Sequence, residues 1–173
     1  MTLTRRIVAL DSGLKLVKNM EQTLIILKPD ALQRSLVGEI ITRFEKKGFK
    51  IIGLKMMTIS EVLIREHYGH HKDKPFFEFL KKYMQSAPCI VMLLEGLEVI
   101  RTARILCGQT ESKKADIGTI RGDLAMSTRH NLVHASDSKE SAEQEIKRFF
   151  KPEEFFEFKK IDFEQIYSVE ERE

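Results

Sequence analysis

Short apolar runs alternate with amphipathic stretches along most of the chain. Residues 23–28 are a run of β-forming residues that ends at Pro29, which predicts a buried strand. Residues 37–44 carry apolar side chains at positions i, i+3, i+4 and i+7, the spacing of an amphipathic helix that Gly48 is expected to end. Residues 49–57 return to β character, so a strand, a helix and a second strand are predicted to follow one another.

The middle of the chain predicts two short helices and then a strand with its own helix. Ser60 is placed to cap a helix running towards Tyr68, and a second helical piece follows Pro75. Residues 89–94 are an apolar run typical of a strand. From residue 97 to residue 106 apolar positions recur on one helical face, which predicts a longer helix.

The last third of the chain predicts a long loop, a strand and a helix. Residues 109–123 are polar and aperiodic, and a loop of that length is often functional. The last strand is expected within residues 131–136, and Asp137 with Glu140 has the pattern of a capping box for the final helix. The element order predicts an α+β fold, a ferredoxin-like βαββαβ sandwich with an antiparallel sheet, helices on one face and extra short helices.

Length and charge limit the possible classes of protein. A chain of 173 residues fits one domain, which we expect to span residues 20–173. Residues 1–19 carry the formal net charge of +3 and the remainder is neutral, so no broad basic surface for a specific nucleic acid is expected. No apolar run approaches the roughly 18 residues that cross a bilayer, so no membrane role is expected.

Residues 1–19 form a basic N-terminal extension of the predicted domain. Asp11 and Gly13 interrupt the apolar core that a secretory signal would need. Three interpretations stay open: a flexible appended arm, which we favour, an upstream start before Met20, and an organelle transit segment.

Cys89 and Cys107 both lie in apolar segments, and the chain has no CxxC or Cys/His metal spacing. This pattern predicts two buried free thiols in a reducing compartment. We therefore expect a cytoplasmic location.

The usual phosphate-binding loops are missing. Neither GxxxxGK[ST] nor GxGxxG occurs, so a nucleotide site in this chain would have to bind phosphates with side chains. Arginine forks and a lysine ammonium suit a triphosphate, although a single basic residue is more often a solvated surface charge. The candidates near the ends of predicted elements are Lys28, Arg104, Thr110, Arg121 and Asn131.

One of the five histidines differs from the others in its surroundings. His67, His70 and His71 lie in a charge-rich turn and are expected to be exposed, and His130 lies in a polar stretch. His134 instead follows two apolar residues in the last predicted strand. A lone strand histidine is usually structural, so its position alone does not make it catalytic.

Residues 131–138, Asn-Leu-Val-His-Ala-Ser-Asp-Ser, closely resemble the active-site motif of nucleoside diphosphate kinases. The resemblance runs in order from about residue 21 to residue 154. It also includes Lys28-Pro-Asp-Ala31, Val37-Gly-Glu-Ile-Ile41, Arg43-Phe-Glu-Lys-Lys-Gly-Phe49, His67-Tyr68, Lys74-Pro-Phe-Phe77, Gly118-Thr-Ile-Arg-Gly-Asp123 and Glu140-Ser-Ala-Glu143. Several collinear motifs of mixed polar chemistry are specific, whereas a single glycine motif would be weak.

The resemblance implies a role for each matching residue. His134 corresponds to the histidine that becomes phosphorylated, Glu145 to a glutamate that contacts its imidazole, and Ser136 to a serine that supports this glutamate. Phe76 corresponds to the aromatic ring on which the base stacks. The residues implied to hold the phosphates and the ribose are Lys28, Tyr68, Arg104, Thr110, Arg121 and Asn131. Taken alone, Phe76 would more often be a core residue and Glu145 an exposed partner of Arg148.

The implied activity is transfer of the terminal phosphate of ATP or another nucleoside triphosphate to a nucleoside diphosphate, by a ping-pong mechanism through phosphorylated His134. Stacking on Phe76 uses the face that every base has, so broad base and sugar specificity is expected. Mg²⁺ is the expected cofactor, held mainly by substrate phosphates and water because no carboxylate cage is visible. The resemblance also implies a homo-oligomer, a hexamer rather than a tetramer.

The chain departs from the family pattern at positions close to its motifs. Ile117 replaces the proline usual before Gly-Thr-Ile-Arg, in a loop that commonly takes part in subunit contacts. Thr128 stands where an apolar residue often completes the base sandwich, and Arg129-His130 replaces the usual Gly-Arg. Changes in nucleotide affinity and oligomer stability are expected from these departures.

Two other classes of protein compete with an active kinase. One is a nucleotide-binding or regulatory protein on the same fold, with weak or incidental kinase activity. The other is an RNA-binding ferredoxin-like module, which the neutral domain and the lack of an RNP-type aromatic strand disfavour.

Overall fold

The computed structural model describes residues 20–172, so the predicted extension at residues 1–19 lies outside the described residues. Within this range four strands form one antiparallel sheet in the order β2-β3-β1-β4. The strands are β1 (Met20–Leu27), β2 (Lys50–Met57), β3 (Cys89–Leu97) and β4 (Val133–Ala135). The helices are α1 (Pro29–Gln33), α2 (Val37–Lys46), α3 (Glu61–His67), α4 (Phe77–Met84), α5 (Val99–Cys107), α6 (Ile120–Leu124), α7 (Lys139–Phe149), α8 (Phe163–Ile166) and α9 (Val169–Arg172).

The two long connections that cross the sheet explain its strand order. Helix α2 joins β1 to β2, and α5 joins β3 to β4, so the unit is β1-α2-β2-β3-α5-β4. With the strand order β2-β3-β1-β4, this is the predicted ferredoxin-like βαββαβ sandwich. The prediction of an α+β fold is confirmed.

Strand β1 is buried on both faces, which explains why its sequence is a continuous apolar run. Ile25 and Leu27 pack with α2 and α5 on one face of the sheet. Leu24 and Ile26 pack with α3, α4 and α7 on the other face. The expectation of helices on one face was therefore incomplete, because the extra helices and α7 cover the second face.

Several helix ends follow from local chemistry. The Ser60 hydroxyl accepts a hydrogen bond from Leu63 N at 3.2 Å, so the predicted cap of α3 is confirmed. The predicted capping box at Asp137 is wrong, since the N-cap of α7 is Ser138, whose hydroxyl accepts from Ser141 N at 3.1 Å. The hydroxyl of Ser138, one residue after Asp137, therefore accepts the hydrogen bond from the free amide in the first turn of α7.

Two further predictions of the element pattern need correction. Residues 109–123 are not all loop: a 3₁₀ turn spans Ser112–Lys114, and α6 begins after Thr119, whose hydroxyl accepts from Gly122 N at 3.0 Å. These elements are too short to produce a hydrophobic period. Leu97 belongs to β3 rather than to the following helix, which begins at Val99.

The C-terminal residues pack along the outer strand β2 and the end of β3. Phe156 N donates to Ile52 O at 2.7 Å, and Leu97 N donates to the Tyr167 hydroxyl at 3.3 Å.

Cys89 and Cys107 are both buried free thiols, as predicted. Among residues 20–172, no helix combines the length and the apolarity that crossing a membrane would require.

Candidate active site

His134 lies in the middle of β4 and faces the layer formed by α3, α4 and α7. It is paired with Ile26 of β1, and directly paired residues of an antiparallel sheet point to the same side. Ile26 belongs to the core under that layer. The His134 side chain is 21% exposed, so it is part of a surface rather than of the core.

Glu145 of α7 holds the His134 ring from one side. His134 Nε2 lies 3.1 Å from Glu145 Oε1 and 3.0 Å from Oε2, and Ser136 Oγ donates to Oε2 at 2.6 Å. An ionised carboxylate only accepts, so Nε2 carries the proton and Nδ1 keeps its lone pair. Burial would raise the pKa of Glu145, but its hydrogen bonds to His134 and Ser136 lower it below its ordinary value. The carboxylate is therefore ionised beside the ring.

Lys28 is a partly buried cation of the site. It follows β1 directly, its amide donates to Leu132 O at 2.8 Å, and its ammonium donates to Asn131 Oδ1 at 2.5 Å. Burial, and then the neighbouring charge of Arg121, lower the pKa of Lys28 to about 8. Its ammonium is thus poorly compensated, which favours an anion in front of it.

Arg121 of α6 is 7% exposed and ties three segments together. Its Nε donates to Asn131 O at 3.2 Å, its Nη1 to Gly108 O at 2.5 Å and its Nη2 to Val133 O at 2.7 Å. A guanidinium has five N–H groups, so two remain for another acceptor. Gly108 has φ +78°, and a Cβ there would collide with Thr119, so the start of α6 can lie close to this residue only because it is a glycine.

A buried carboxylate fixes the segment before β4 from the other side. Asp30 Oδ1 accepts from the Tyr83 hydroxyl at 2.5 Å, and Asp30 Oδ2 accepts from Leu132 N at 3.2 Å. Leu132 has φ +68°, a left-handed conformation that costs a leucine energy. The bonds from Lys28, Asp30 and Arg121 therefore hold a strained residue two positions before His134.

These side chains surround a cleft of about 690 Å³, a volume suited to a nucleotide-sized ligand. All predicted site residues except Ser136 line it: Lys28, Tyr68, Phe76, Arg104, Thr110, Arg121, Asn131, His134 and Glu145. Ser136 is fully buried behind Glu145. Phe76 is half-buried in the wall, and Thr128 and Arg129 are also part of the lining.

His67, which the sequence predicted to be exposed, is buried in this cleft. Its side chain is 1% exposed, and its ring lies 4.6 Å from the His134 ring and 5.0 Å from the Phe149 ring. The charged residues that follow it suggested a surface turn. The signal that could have found it is its position three residues after the buried Ile64, on the inner face of α3.

The wall of the cleft contains two buried polar groups, on Tyr68 and His67, that are not hydrogen-bonded within the described residues. Burial raises the pKa of the Tyr68 hydroxyl, which stays protonated. Tyr68 Oη and His67 Nε2 are buried and find no hydrogen-bond partner among residues 20–172. Such orphaned groups commonly mark a site that a ligand completes.

His67, His134 and Glu145 offer three potential metal ligand atoms within 4.8 Å of one another. A guanidinium opposes a cation there, because Arg148 Nη1 lies 3.4 Å from His67 Nδ1. Glu145 is also already bonded to His134 and Ser136. We therefore do not assign a metal to this group.

Comparison with known proteins gives a consistent result. A family model described as nucleoside diphosphate kinase matches residues 21–155. The chain belongs to the nucleoside diphosphate kinase family. It is 49% identical to a nucleoside diphosphate kinase of Parabacteroides distasonis over 88% of this chain and 99% of that protein. It is 50% identical to nucleoside diphosphate kinase A of Mus musculus over 86% of this chain and 98% of that protein.

A solved structure supports the same family. A nucleoside diphosphate kinase of Halobacterium salinarum in complex with CDP superposes with a TM-score of 0.83 and 42% identity, covering 85% of this chain and 98% of that one. The chain is accordingly a kinase that acts on nucleotides, with nucleoside-diphosphate kinase activity. The alternative of an RNA-binding module is wrong.

Proposed function

We propose that this kinase works by a ping-pong mechanism in which His134 carries the phosphate between two nucleotides. The observation that supports it best is the pairing of His134 Nε2 with both oxygens of Glu145. Because Nε2 donates to the carboxylate, the Nδ1 lone pair is available in a cleft that Lys28, Arg104 and Arg121 also line. A positioned carboxylate behind a nucleophilic imidazole is a common arrangement for such attack.

Each half-reaction exchanges one bond to phosphorus. His134 Nδ1 attacks the terminal phosphorus of a nucleoside triphosphate, a P–N bond forms, and the bond to the bridging oxygen breaks, which releases the diphosphate. A terminal oxygen of a second nucleoside diphosphate then attacks the same phosphorus, and the P–N bond breaks. Glu145 steadies the positive charge that grows on the ring, and the Nε2 proton stays on His134 throughout.

The cations act on the oxygens of the transferred group. Negative charge spreads over these oxygens in the transition state, so donors aimed at them lower the barrier. Lys28 and the two free N–H groups of Arg121 suit this role, and Arg104 lies at the outer side of the cleft. Losing one such donor is expected to cost about 3 kcal/mol of barrier. The Tyr68 hydroxyl is buried and has no hydrogen-bond partner in the described part of the chain, so it suits a ligand oxygen.

We further propose Mg²⁺ as the divalent cation of the reaction. The cleft fits an ion held mainly by its substrate, because five Lys and Arg side chains face three carboxylates in its lining, and one of these, Glu145, is occupied by His134 and Ser136. When bound to the nucleotide, Mg²⁺ would neutralise phosphate charge. The chain's own residues supply the nucleophile and the basic groups around it.

Broad base specificity is supported by the kinds of residue that could contact a base in the cleft. Phe76 offers an aromatic face, and Thr128, which lines the same cleft, can give neither deep apolar packing nor a base-specific pattern of hydrogen bonds. The related Halobacterium protein was solved with CDP, a pyrimidine nucleotide. Purine and pyrimidine, ribose and deoxyribose substrates should therefore differ little in kcat/KM.

Brief incubation with γ-labelled ATP tests the mechanism. The wild-type chain should take up acid-labile label, His134→Ala none, and added nucleoside diphosphate should remove the label as triphosphate. If wild type binds ATP without labelling, the mechanism is wrong and a nucleotide-binding or regulatory role replaces it.

The assembly and the location of the chain stay predictions. Exposed Leu54 and Met56 on the edge strand β2 and Ile117, 95% exposed, suit contacts in a homo-oligomer, for which we propose a hexamer. Mass photometry would test this, and a stable monomer would contradict it. Cell fractionation would test the expected cytoplasmic location.

A further inference from the structure

Arg148 enters the cleft from α7, one helical turn beyond Glu145. The sequence allowed Arg148 to be the partner of Glu145, but Glu145 bonds His134 and Ser136 instead. Arg148 Nη1 points to His67 and lies 3.4 Å from its Nδ1. The guanidinium is therefore directed at a buried histidine that borders the reacting ring.

Two groups close to His67 Nδ1 favour opposite positions of the proton on the His67 ring. Arg148 Nη1 is 3.4 Å away and Glu145 Oε1 is 3.7 Å away. A guanidinium only donates, and an ionised carboxylate only accepts. Neutral His67 with its proton on Nε2 can accept from Arg148, whereas neutral His67 with its proton on Nδ1 would turn to Glu145.

We propose that Arg148 is a positioning residue that selects the Nε2–H tautomer of His67 and so reserves the Glu145 carboxylate for His134. The shorter of the two contacts at Nδ1 is the one to Arg148, and this contact is within hydrogen-bond reach. The effect on catalysis rests on the proposed function of His134 as nucleophile. The tautomer itself does not.

The charges around His67 agree with a neutral ring. The groups that face it are His134 from β4, Glu145 and Arg148 from α7, and His70 beyond the end of α3. Burial, then His134, and more weakly Arg148 and His70 lower the pKa of His67 to about 3, while Glu145 opposes them. His67 is therefore uncharged at neutral pH, and only its tautomer is open to choice.

The tautomer of His67 matters because, with the proton on Nδ1, Glu145 Oε1 would accept hydrogen bonds from both His67 and His134. A His67 Nδ1–H bonded to Oε1 would draw the carboxylate away from His134 Nε2, which lies 3.1 Å from the same oxygen. The His134 ring would then lose part of the charge that supports its attack. Protonated His67 would be worse, since it would place a positive charge 4.6 Å from the ring that becomes positive.

Nitrogen-15 NMR of histidine-labelled protein measures the tautomer directly. His67 is assigned by loss of its signals in His67→Asn. We expect wild type to show protonated Nε2 and bare Nδ1, and Arg148→Met to show protonated Nδ1. Arg148→Gln should restore the wild-type pattern, because its amide can donate without a charge. Arg65→Met is the matched control, since Arg65 lies on the same helix as His67 but pairs with Glu61 on the surface.

Kinetics of the same variants measure the consequence. Arg148→Met should lose about tenfold in kcat, the size of one charge-assisted hydrogen bond, with little change in KM. As the pH is lowered, the activity of Arg148→Met should begin to fall at a higher pH than the activity of wild type, because a His67 that is bonded to Glu145 gains a proton more easily. Arg148→Gln should stay within roughly threefold of wild type in kcat.

Each outcome decides the proposal. A protonated Nδ1 in wild type overturns it, and so does an unchanged tautomer in Arg148→Met. If Arg148→Met does not fold, the wild-type tautomer and Arg148→Gln still decide. If the tautomers behave as expected but ATP never labels His134, the mechanism under Proposed function is wrong while the role of Arg148 in setting the tautomer stands.

Discussion

Replacing Glu145 with glutamine removes the charge behind the nucleophile while keeping the shape of the side chain. Both carboxylate oxygens lie 3.0–3.1 Å from His134 Nε2, and the residue is 9% exposed, so its field at the ring is little screened. At an effective dielectric constant of about 20, two unit charges 4 Å apart interact by about 4 kcal/mol. The rate depends only on the positive charge that the His134 ring gains between the ground state and the transition state. For a gain of about half a charge, removal of the carboxylate raises the barrier by ~2 kcal/mol, which lowers the rate roughly 30-fold.

The tautomer of His134 can add to this loss. The glutamine amide can donate to Nε2, which would move the ring proton to Nδ1 and block the attacking nitrogen. A wrong tautomer costs about 10⁴-fold in a serine protease triad, so the rate should fall between roughly 30-fold and 10⁴-fold. Nucleotide affinity should change little, since Glu145 faces the ring and not the phosphates.

Quenched-flow labelling with γ-labelled ATP separates the rate of phosphorylation from binding. The matched control is Glu143→Gln, which removes the same charge from an exposed position on α7 and should label at the wild-type rate. If Glu145→Gln labels as fast as wild type, the ring does not depend on this carboxylate. Equal losses in both variants would point to the net charge of the helix rather than to the contact.

Three further outcomes follow from other contacts of the site. Lys28 is charged below its pKa of about 8 and neutral above it, so kcat/KM for ATP should decrease as pH rises through about 8, and Lys28→Arg should remove this decrease. Arg121→Lys should lower the free energy of unfolding by roughly 2–4 kcal/mol in urea denaturation, because the donors of an ammonium leave a single nitrogen and cannot reach backbone carbonyls of three separate residues as the guanidinium fork does; an unchanged midpoint would contradict this. Tyr83→Phe leaves one oxygen of the buried Asp30 without its donor and should cost about 1–2 kcal/mol by the same measurement, while a more stable variant would show that this bond is not needed.

Elements with a strong hydrophobic period could be predicted from the sequence. The continuous apolar run of β1 and the inner face of α2 follow from burial alone, and both are where the pattern indicated. Short elements such as α6 could not be found this way, because a five-residue helix completes hardly more than one turn. Its start depends on the Thr119 cap, which is a local hydrogen bond and not a period.

The family motifs pointed to nine residues that line the cleft and to the contacts of Glu145 with His134 and Ser136, but not to the other contacts of the site. His67 looked exposed because charged residues surround it in sequence, and its burial depends on packing against His134 of β4 and Phe149 of α7. The sequence allowed Glu145 as the partner of Arg148, whereas in the structure Arg148 is directed at His67. Arg121 was expected to hold phosphates, and its three bonds to backbone carbonyls depend on how distant segments meet.

The histidine that we propose as nucleophile stands in a strand of three residues, Val133–Ala135, next to a strained Leu132. So short a strand has little stability of its own, and it relies on Arg121, Asp30 and the amide of Lys28 for its position. A local opening that breaks these bonds would release the strand long before the sheet unfolds. The share of molecules able to react at any moment is therefore governed by the opening free energy of this edge and not by the global stability of the protein.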